Sequence, residues 1–172
     1  MMTIERVTAI QVESLLETQL IPLLQNVVDD GASIGFIAPL STDEARDYWQ
    51  GVLPPLQAGH KVMFIARLDD QIIGSVQLAL EPRANGRHRG EVQKLMVHTA
   101  ARGQGIARRL MAAIEAAARE HQRTLLVLDT VRDGVADKLY PRLGYTKVGT
   151  IPRYALSSAG PLEDTVLYYR EL

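Results

Sequence analysis

Residues 91–111 constrain the fold of this chain more than any other stretch of the sequence. Residues 92–97 are apolar and rich in side chains that favour strands, and from Gly105 the apolar residues recur at helical spacing. A short polar segment with two glycines separates the two patterns. We therefore predict a strand, a tight loop and the start of a helix.

The predicted loop is suited to an anionic ligand. Glycine lets a ligand approach the backbone closely, and the N–H groups at the start of a helix lack helical partners and lie at the positive end of its dipole. Phosphate or pyrophosphate binds to such groups. The loop lacks the Gly-Lys-Ser/Thr ending of an ATP-binding P-loop and the three glycines of the dinucleotide-binding motif, which disfavours ATP and NAD as ligands. The predicted backbone donors are Arg102, Gly103, Gln104, Gly105, Ile106 and Ala107.

Composition excludes several kinds of site. The 172 residues indicate a single domain, 1–172, and the net charge of −1 gives no argument for a nucleic acid or a membrane partner. The absence of cysteine excludes disulfides and a cysteine nucleophile. The four histidines lack metal-binding spacing, and no serine-hydrolase elbow is present, so we expect no metal. No stretch approaches the roughly 20 apolar residues of a membrane span, and we expect a cytoplasmic protein.

Hydrophobic periodicity predicts a mixed α/β (α+β) sheet of about seven strands with about four helices. A parallel crossover from strand to helix to strand contains the predicted loop at residues 102–107, which we call the glycine loop. The predicted strands are 3–7, 61–68, 71–80, 92–97, 124–128, 145–151 and 165–169, and the predicted helices are 9–28 with a break at Pro22, 42–53, 104–121 and 133–140. Residues 152–161 are predicted to be a loop.

Two carboxylates and a tyrosine fall at the ends of elements that surround one point. Glu91 enters the strand before the glycine loop, Asp129 ends the next parallel strand, and Tyr140 ends the short helix that follows. Ligands of parallel sheets collect at the carboxyl ends of strands. Each residue also has a structural alternative: Glu91 as an exposed strand end paired with Arg89, Asp129 as a turn cap, and Tyr140 as a core tyrosine.

Two motifs resemble those of the GNAT family of N-acetyltransferases. Arg102-x-x-Gly105-x-Ala107 resembles the family's Arg/Gln-x-x-Gly-x-Gly/Ala motif, and the segment from Tyr140 to Tyr145 resembles its Tyr-x-x-x-Gly-Phe/Tyr segment. The resemblance implies the GNAT acyl-CoA N-acyltransferase fold, acetyl-CoA as co-substrate with its pyrophosphate at the glycine loop, and a primary amine as the acceptor.

The resemblance also implies roles for individual residues. Glu91 or Asp129, directly or through a water, takes a proton from the amine, and Tyr140 protonates the leaving thiolate. Backbone N–H groups near Met96 and Val97, at a bulge in the strand, polarise the thioester carbonyl.

Two arginines, Arg102 in the motif and Arg108 just after it, are candidates for contact with the pyrophosphate. Arg102 contributes only its backbone, with its guanidinium in solvent, whereas Arg108 reaches a phosphate from the first helical turn.

A denser resemblance, strongest over residues 85–154, is to a branch of the family that acetylates a small amino-acid-like β-lactam toxin. It rests on residues 31–36, 91–97, 128–130 and 151–154 and implies a small, polar acceptor amine, such as a toxin or an antibiotic. A peptide N-terminus and a polyamine stay open as acceptors.

Two other classes of protein also stay open, as does the oligomeric state. One is a non-catalytic acyl-CoA-binding module on the same fold, and the other is a nucleotide-phosphate binder that uses the loop alone. A homodimer through an edge strand or the C-terminal segment is compatible with the sequence.

Overall fold

A computed structural model describes residues 1–172, and its seven strands form one sheet in the order β1-β2-β3-β4-β5-β7-β6. Neighbouring strands are antiparallel except β4 and β5, which are parallel. The strands are β1 (Met2–Val7), β2 (Lys61–Leu68), β3 (Gln71–Leu80), β4 (Arg89–Val97), β5 (Leu125–Val131), β6 (Thr146–Leu156) and β7 (Leu162–Glu171). The predicted mixed sheet of seven strands is confirmed.

The helices form four segments, as predicted. They are α1 (Ala9–Leu15), α2 (Ile21–Asp29), α3 (Thr42–Gln57), α4 (Ile106–Glu120) and α5 (Val135–Arg142), and a π-helical turn (Leu16–Leu20) joins α1 to α2. Pro22 is the second residue of α2, directly after the π turn, and its missing N–H leaves one carbonyl of that turn without a helical donor. The predicted break therefore lies in the π turn, just ahead of the proline.

Helices cover both faces of the sheet. α1, α2 and α3 pack on one face around the fully buried Trp49, whose indole N–H donates to the carbonyl of Leu20 at 3.0 Å. α4 and α5 pack on the other face. Met96 of β4 faces the first core, whereas Val92 faces the second. No helix combines the length and the apolar composition needed to cross a membrane.

Two predicted ends are wrong because helices and strands continue past them. α3 does not end at residue 53 but runs through Pro54 and Pro55 to Gln57. β5 does not end at residue 128 but continues to Val131, because its pairing with β7 extends to that residue. Asp129 therefore lies within β5, two residues before its end, and not at the end of the strand.

The predicted end of α5 at Tyr140 is also wrong. The helix begins at Val135, after Gly134 as the N-cap, and not at residue 133, and it continues through Pro141 to Arg142. A proline at position 141 cannot donate to the carbonyl of Asp137, four residues earlier. The hydroxyl of Tyr168 donates its one proton mainly to the Asp137 carboxylate, at 2.5 Å, and lies 3.2 Å from that carbonyl, so a polar group lies against the acceptor that the proline leaves without a helical donor.

The predicted loop at residues 152–161 is partly strand. β6 continues to Leu156, although its register with β7 shifts between Ile151 and Ala155, and Arg153 there adopts a φ of +52°. β6 is an edge strand that pairs only with β7. Pro152 is tolerated because an edge strand leaves one side of its backbone without ladder hydrogen bonds.

Candidate active site

The glycine loop connects β4 to α4 through a 3-10 turn (Thr99–Ala101). Gly103 and Gly105 adopt φ values of +79° and +75°, in the left-handed region that favours glycine. No side chain caps α4, and its first turn contains no acidic residue. The N–H groups of that turn are therefore open to a ligand at the positive end of the helix dipole, which is the geometry predicted for an anion site.

Arg102 of the motif and Arg108, just after the motif, differ in their surroundings. The guanidinium of Arg102 forms a salt bridge with Asp30 at the end of α2 and donates to the carbonyl of Val97 at 3.3 Å. Its side chain thus ties the loop to its neighbours instead of extending freely into solvent, and its backbone N–H donates to the carbonyl of Thr99 at 3.4 Å. Arg108 is exposed and forms no salt bridge, so it is the arginine available to a phosphate.

β4 and β5 pair over a short distance and then diverge. Their parallel pairing covers residues 89–91 of β4 and 125–127 of β5. Beyond it, β4 continues along β3 and β5 continues along β7, so a cleft opens between them. Glu91 lies at the last paired position of β4, and Asp129 lies two residues past Val127. Both predicted carboxylates therefore lie where the cleft begins.

β4 contains a bulge just before the glycine loop. The register with β3 shifts so that Val76 lies opposite two residues of β4, Lys94 and Leu95. Lys94 adopts a φ of +52°, a conformation that is uncommon and costly for any residue except glycine. The bulge thus precedes Met96 and Val97, the positions to which the family resemblance assigned it. It turns the side chain of Lys94 towards the face that carries α3.

Lys94 has a specific environment on that face. Its ammonium donates to the carbonyl of Ile34 and lies 5.5 Å and 5.6 Å from the ring centroids of Phe36 and Tyr48. Burial lowers the pKa of Lys94, and the carboxylates of the cleft oppose that shift. Lys94 was not among the predicted site residues, although a lysine inside an apolar strand was a visible signal.

Asp129 combines access to solvent with a perturbed acidity. Its side chain is exposed, but the surrounding protein removes part of its hydration and raises its pKa. The negative charge of Glu91 raises that pKa further, and the ammonium of Lys94 opposes the shift. The turn-cap alternative is wrong because Asp129 lies within a strand. A carboxylate that is more basic than an ordinary aspartate is suited to proton removal from an amine.

Glu91 is exposed and accepts a hydrogen bond from the side-chain amide of Gln93 at 3.1 Å. The alternative of an ion pair with Arg89 is wrong, because Arg89 donates to Glu81 at 2.9 Å. Glu91 lies near enough to Asp129 to affect its pKa. The two carboxylates therefore share one electrostatic environment.

Tyr140 lies on α5, buried in the core on the face of the sheet that carries α4 and α5. The residue is 5% exposed, and its ring lies 5.7 Å from those of Tyr145 and Tyr168. Burial raises the pKa of Tyr140 well above its usual value, and the charge of Asp129 raises it further. The phenol therefore remains protonated near neutral pH, although the raised pKa also makes it a weaker acid than an exposed tyrosine. Tyr140 is thus both a core residue and a neighbour of the carboxylates.

A chain of polar side chains crosses three strands on the α3 face. The ammonium of Lys61 donates to the side-chain oxygens of Gln77, at 2.8 Å, and Gln93, at 3.0 Å. Gln77, which is fully buried, donates to the hydroxyl of Tyr48 at 2.8 Å, and Gln93 donates to Glu91. This hydrogen-bond chain was not predicted, because its members are far apart in sequence and only strand register brings them together.

A cavity of about 400 Å³ opens beside Glu91. Its walls include Val127 and the guanidiniums of Arg83 and Arg89, both of which are held by Glu81 at 2.7 Å and 2.9 Å. This volume suits a small molecule. A larger cavity, of about 540 Å³, lies near the start of α1 and contains none of the predicted catalytic residues. No group of three His, Asp or Glu side chains is arranged to hold a metal ion.

Comparison with known proteins agrees with this geometry. The Acetyltransferase (GNAT) domain model matches residues 59–147, a range that includes the glycine loop, both carboxylates and Tyr140. An uncharacterized N-acetyltransferase in the hisH-hisA intergenic region of Azospirillum brasilense is 33% identical over 129 residues, which are 74% of each chain.

Solved structures share the fold at low sequence identity. Ribosomal-protein-alanine N-acetyltransferase from Brucella melitensis superposes with a TM-score of 0.78 and 20% identity over 99% of both chains. A putative acetyltransferase from Salmonella typhimurium, solved with its cofactor acetyl-CoA, superposes with a TM-score of 0.78 and 18% identity over 100% of this chain and 94% of that one. Because the family model covers over half of the sequence and a relative is 33% identical, the chain belongs to the GNAT family of acetyltransferases, whose members use acetyl-CoA as the acetyl donor.

Proposed function

We propose that this acetyltransferase moves the acetyl group of acetyl-CoA to the primary amine of a small amino-acid-like molecule. The observation that carries the proposal is the grouping of two carboxylates, Glu91 and Asp129, with the ammonium of Lys94 where β4 and β5 diverge. An amino acid presents an amine and a carboxylate a short distance apart. The carboxylates complement the amine, and Lys94 complements the carboxylate.

The proposed reaction is a direct attack by the amine on the thioester. Glu91 or Asp129, directly or through a water, accepts the proton of the amine, and the raised pKa of Asp129 favours that residue. The C–N bond forms and the C–S bond breaks through a tetrahedral intermediate. Tyr140 donates its proton to the departing thiolate and recovers one from solvent.

The donor site extends from the cleft to the glycine loop. In this proposal the thioester carbonyl accepts hydrogen bonds from backbone N–H groups near Met96 and Val97, next to the bulge in β4. The pyrophosphate binds at the start of α4, where the dipole favours anions. The residues proposed to bind it are Arg102, Gly103, Gln104, Gly105, Ile106, Ala107 and Arg108, with Arg108 contributing its guanidinium.

The proposed acceptor is more specifically a toxin or an antibiotic. The resemblance of residues 31–36 and 128–130 to the tabtoxin resistance protein, a tabtoxinine-β-lactam acetyltransferase, supports this class. Residues 31–36 approach the acceptor side of the cleft, because Ile34 and Phe36 contact Lys94. A resistance role and a cytoplasmic location follow from this proposal and remain predictions.

A second acceptor class is the N-terminal amine of a peptide. The Brucella neighbour is named as a ribosomal-protein-alanine N-acetyltransferase, and its fold is shared by this chain. A peptide N-terminus presents an α-amine whose adjacent carbonyl is amidated, so it lacks the free carboxylate that would pair with Lys94. The two classes therefore differ in one functional group.

The test uses that difference. Calorimetry first measures the binding of acetyl-CoA, and thiol release is then followed with small amino acids, their carboxamides and short peptides. We expect release with one or more free amino acids and a large loss on amidation. Release with peptides and carboxamides alone would favour the second class, and binding without release from any amine would favour a non-catalytic acyl-CoA-binding module.

We also propose that β6 forms the interface of a homodimer. This edge strand exposes apolar side chains at Val148, Ile151, Tyr154 and Leu156 beside an unpaired row of backbone groups. Such an edge favours pairing with another strand. Sedimentation equilibrium should give a dimer for the wild type and a monomer for Tyr154→Lys, and a wild-type monomer would contradict the proposal.

A further inference from the structure

We propose that Lys61 is a positioning residue, which sets the direction of a hydrogen-bond chain that ends on the carboxylate of Glu91. The chain passes from Tyr48 through Gln77, Lys61 and Gln93 to Glu91, and it crosses β3, β2 and β4. The inference rests on the proposed acetyl transfer, because the role of Glu91 is part of that proposal. Lys61 does not contact the reacting atoms and acts through Gln93.

The direction follows from the chemistry of the ammonium group. Lysine has three N–H donors and no acceptor, whereas each glutamine amide has one oxygen acceptor and one NH₂ donor. Gln77 and Gln93 must both turn their oxygens towards Lys61, and the distances of 2.8 Å and 3.0 Å show that they do. Their NH₂ groups must therefore point away from Lys61, to opposite ends of the chain.

At one end, this direction presents a donor to Glu91. The NH₂ group of Gln93 lies 3.1 Å from one carboxylate oxygen of Glu91 and holds it in place. A carboxylate only accepts hydrogen bonds when ionised, so a reversed amide would place its oxygen against that of Glu91 and repel it. Lys61 thus determines whether Gln93 orients the carboxylate or displaces it.

At the other end of the chain, the same direction makes the hydroxyl of Tyr48 a hydrogen-bond acceptor. Its hydroxyl receives the NH₂ of the fully buried Gln77, so its own proton is free for another partner. The ring of Tyr48 also lies 5.6 Å from the ammonium of Lys94. One lysine therefore connects the environment of Lys94 with the orientation of Glu91.

The burial of Lys61 argues against a purely stabilising role. Burial lowers the pKa of Lys61, the nearby charge of Lys94 lowers it further, and Glu91 opposes the shift. The ammonium forms no salt bridge, and its hydrogen-bond partners are two neutral amides. A methionine would fill the same space without the cost of removing a charge from water. The orientation of the amides of Gln77 and Gln93 is a role that a methionine at position 61 could not perform.

The experiment compares Lys61→Met, Lys61→Arg and Gln93→Met with the wild type, and Arg87→Met, at an exposed position between β3 and β4, serves as the control. We expect Lys61→Met and Gln93→Met each to lower kcat about tenfold with an unchanged KM for acetyl-CoA, because the carboxylate is misplaced but present. Lys61→Arg keeps a group that only donates and should retain most of kcat. Because both residues act through one path, the double variant should be no slower than either single variant.

The outcomes separate this inference from the proposed function. Thermal melts and calorimetry with acetyl-CoA first establish that each variant is folded, and if Lys61→Met is not, Gln93→Met and Lys61→Arg carry the comparison. An unchanged kcat in the folded variants, or losses that multiply in the double variant, would overturn the inference alone. A wild-type protein that transfers acetyl to no amine would overturn the proposed function and this inference with it.

Discussion

Gly74 of β3 lies so close to Met96 of β4 that a Cβ atom on Gly74 would be 2.8 Å from the carbonyl oxygen of Met96. The same atom would be 3.2 Å from the side chain of Leu110 in α4. Two elements thus press on one glycine, and one of them is the end of the strand that leads into the glycine loop. Only a residue without a side chain keeps β3, β4 and α4 in this arrangement.

Gly74→Ala should therefore damage both stability and cofactor binding. A forced separation in a packed core costs about 1–3 kcal/mol, and here it displaces the backbone next to the loop. Chemical denaturation measures the first effect, and calorimetry with acetyl-CoA measures the second. Gly149→Ala is the matched control in a strand, because nothing lies within 4 Å of the added atom. Equal stability of the two variants would contradict the argument.

Arg108→Ala should weaken the binding of CoA without changing the stability of the fold. The loss of one exposed contact with a phosphate is worth about 1 kcal/mol, or about a fivefold higher Kd. Calorimetry with CoA and with pantetheine, which lacks phosphates, should show the loss only for CoA. Arg102→Ala should mainly lower stability, because it breaks the contacts with Asp30 and Val97. A larger loss of CoA affinity in Arg102→Ala would reverse the assignment.

Asp129→Asn should stabilise the protein at neutral pH. The pKa of Asp129 is raised in the fold, so the folded state binds its proton more tightly than the unfolded chain does. The contribution of this group to stability is therefore greatest at low pH and falls as pH rises through the folded pKa. The variant should melt at a higher temperature than the wild type at pH 7, and the difference should vanish below about pH 4. A less stable variant at pH 7 would contradict this sign.

Lys94→Met should move the acid limb of the kcat/KM profile to higher pH. The ammonium of Lys94 lowers the pKa of Asp129 against the effects of burial and Glu91, so its removal lets that pKa rise. A base with a higher pKa becomes ionised at a higher pH. Lys94→Arg keeps the charge and is the control, whose limb should stay near that of the wild type. A shift to lower pH in Lys94→Met would rule out this coupling.

Tyr168→Phe should loosen α5 and slow acetyl transfer. The variant removes the hydrogen bond from the Tyr168 hydroxyl to the Asp137 carboxylate, and with it the longer contact of the same hydroxyl with the Asp137 carbonyl. Loss of a buried hydrogen bond costs about 1–2 kcal/mol, and the displaced helix carries Tyr140. Denaturation and kcat measure the two effects. Tyr169→Phe, one residue further along β7, removes a hydroxyl with no hydrogen bond in the structure and should change neither.

The sequence predicted the parts of the fold that periodicity and turn chemistry determine locally. The hairpin of β2 and β3 has the predicted bounds, and α3 begins at the predicted residue 42, where Ser41 and Glu44 form a capping box. Errors arose where tertiary contacts override local rules. Pro141 lies within a helix, and the hydroxyl of Tyr168, 27 positions later in the chain, lies against the carbonyl that the proline leaves free and donates to the carboxylate of the same residue.

The candidate site was predictable in its motifs and not in its polar partners. The glycine loop and the carboxylates lie next to recognisable strand and helix signals. Lys61, Gln77 and Gln93 meet only through the register of three strands, and no local pattern specifies that register. A charged residue inside a strand was the available signal for Lys94, whereas Lys61 is the first residue of β2 and gave no such signal.

The bulge in β4 has a consequence for how this enzyme can evolve. Glu91 faces the acceptor side of the sheet, and the additional residue at Lys94 resets the alternation so that Met96 faces the same side as well. A deletion of one residue between them would move every later side chain of β4 to the opposite face of the sheet, up to the start of the glycine loop. The substrate range of such an enzyme can therefore diversify by replacement of side chains along β4, whereas the number of residues in that strand is held constant.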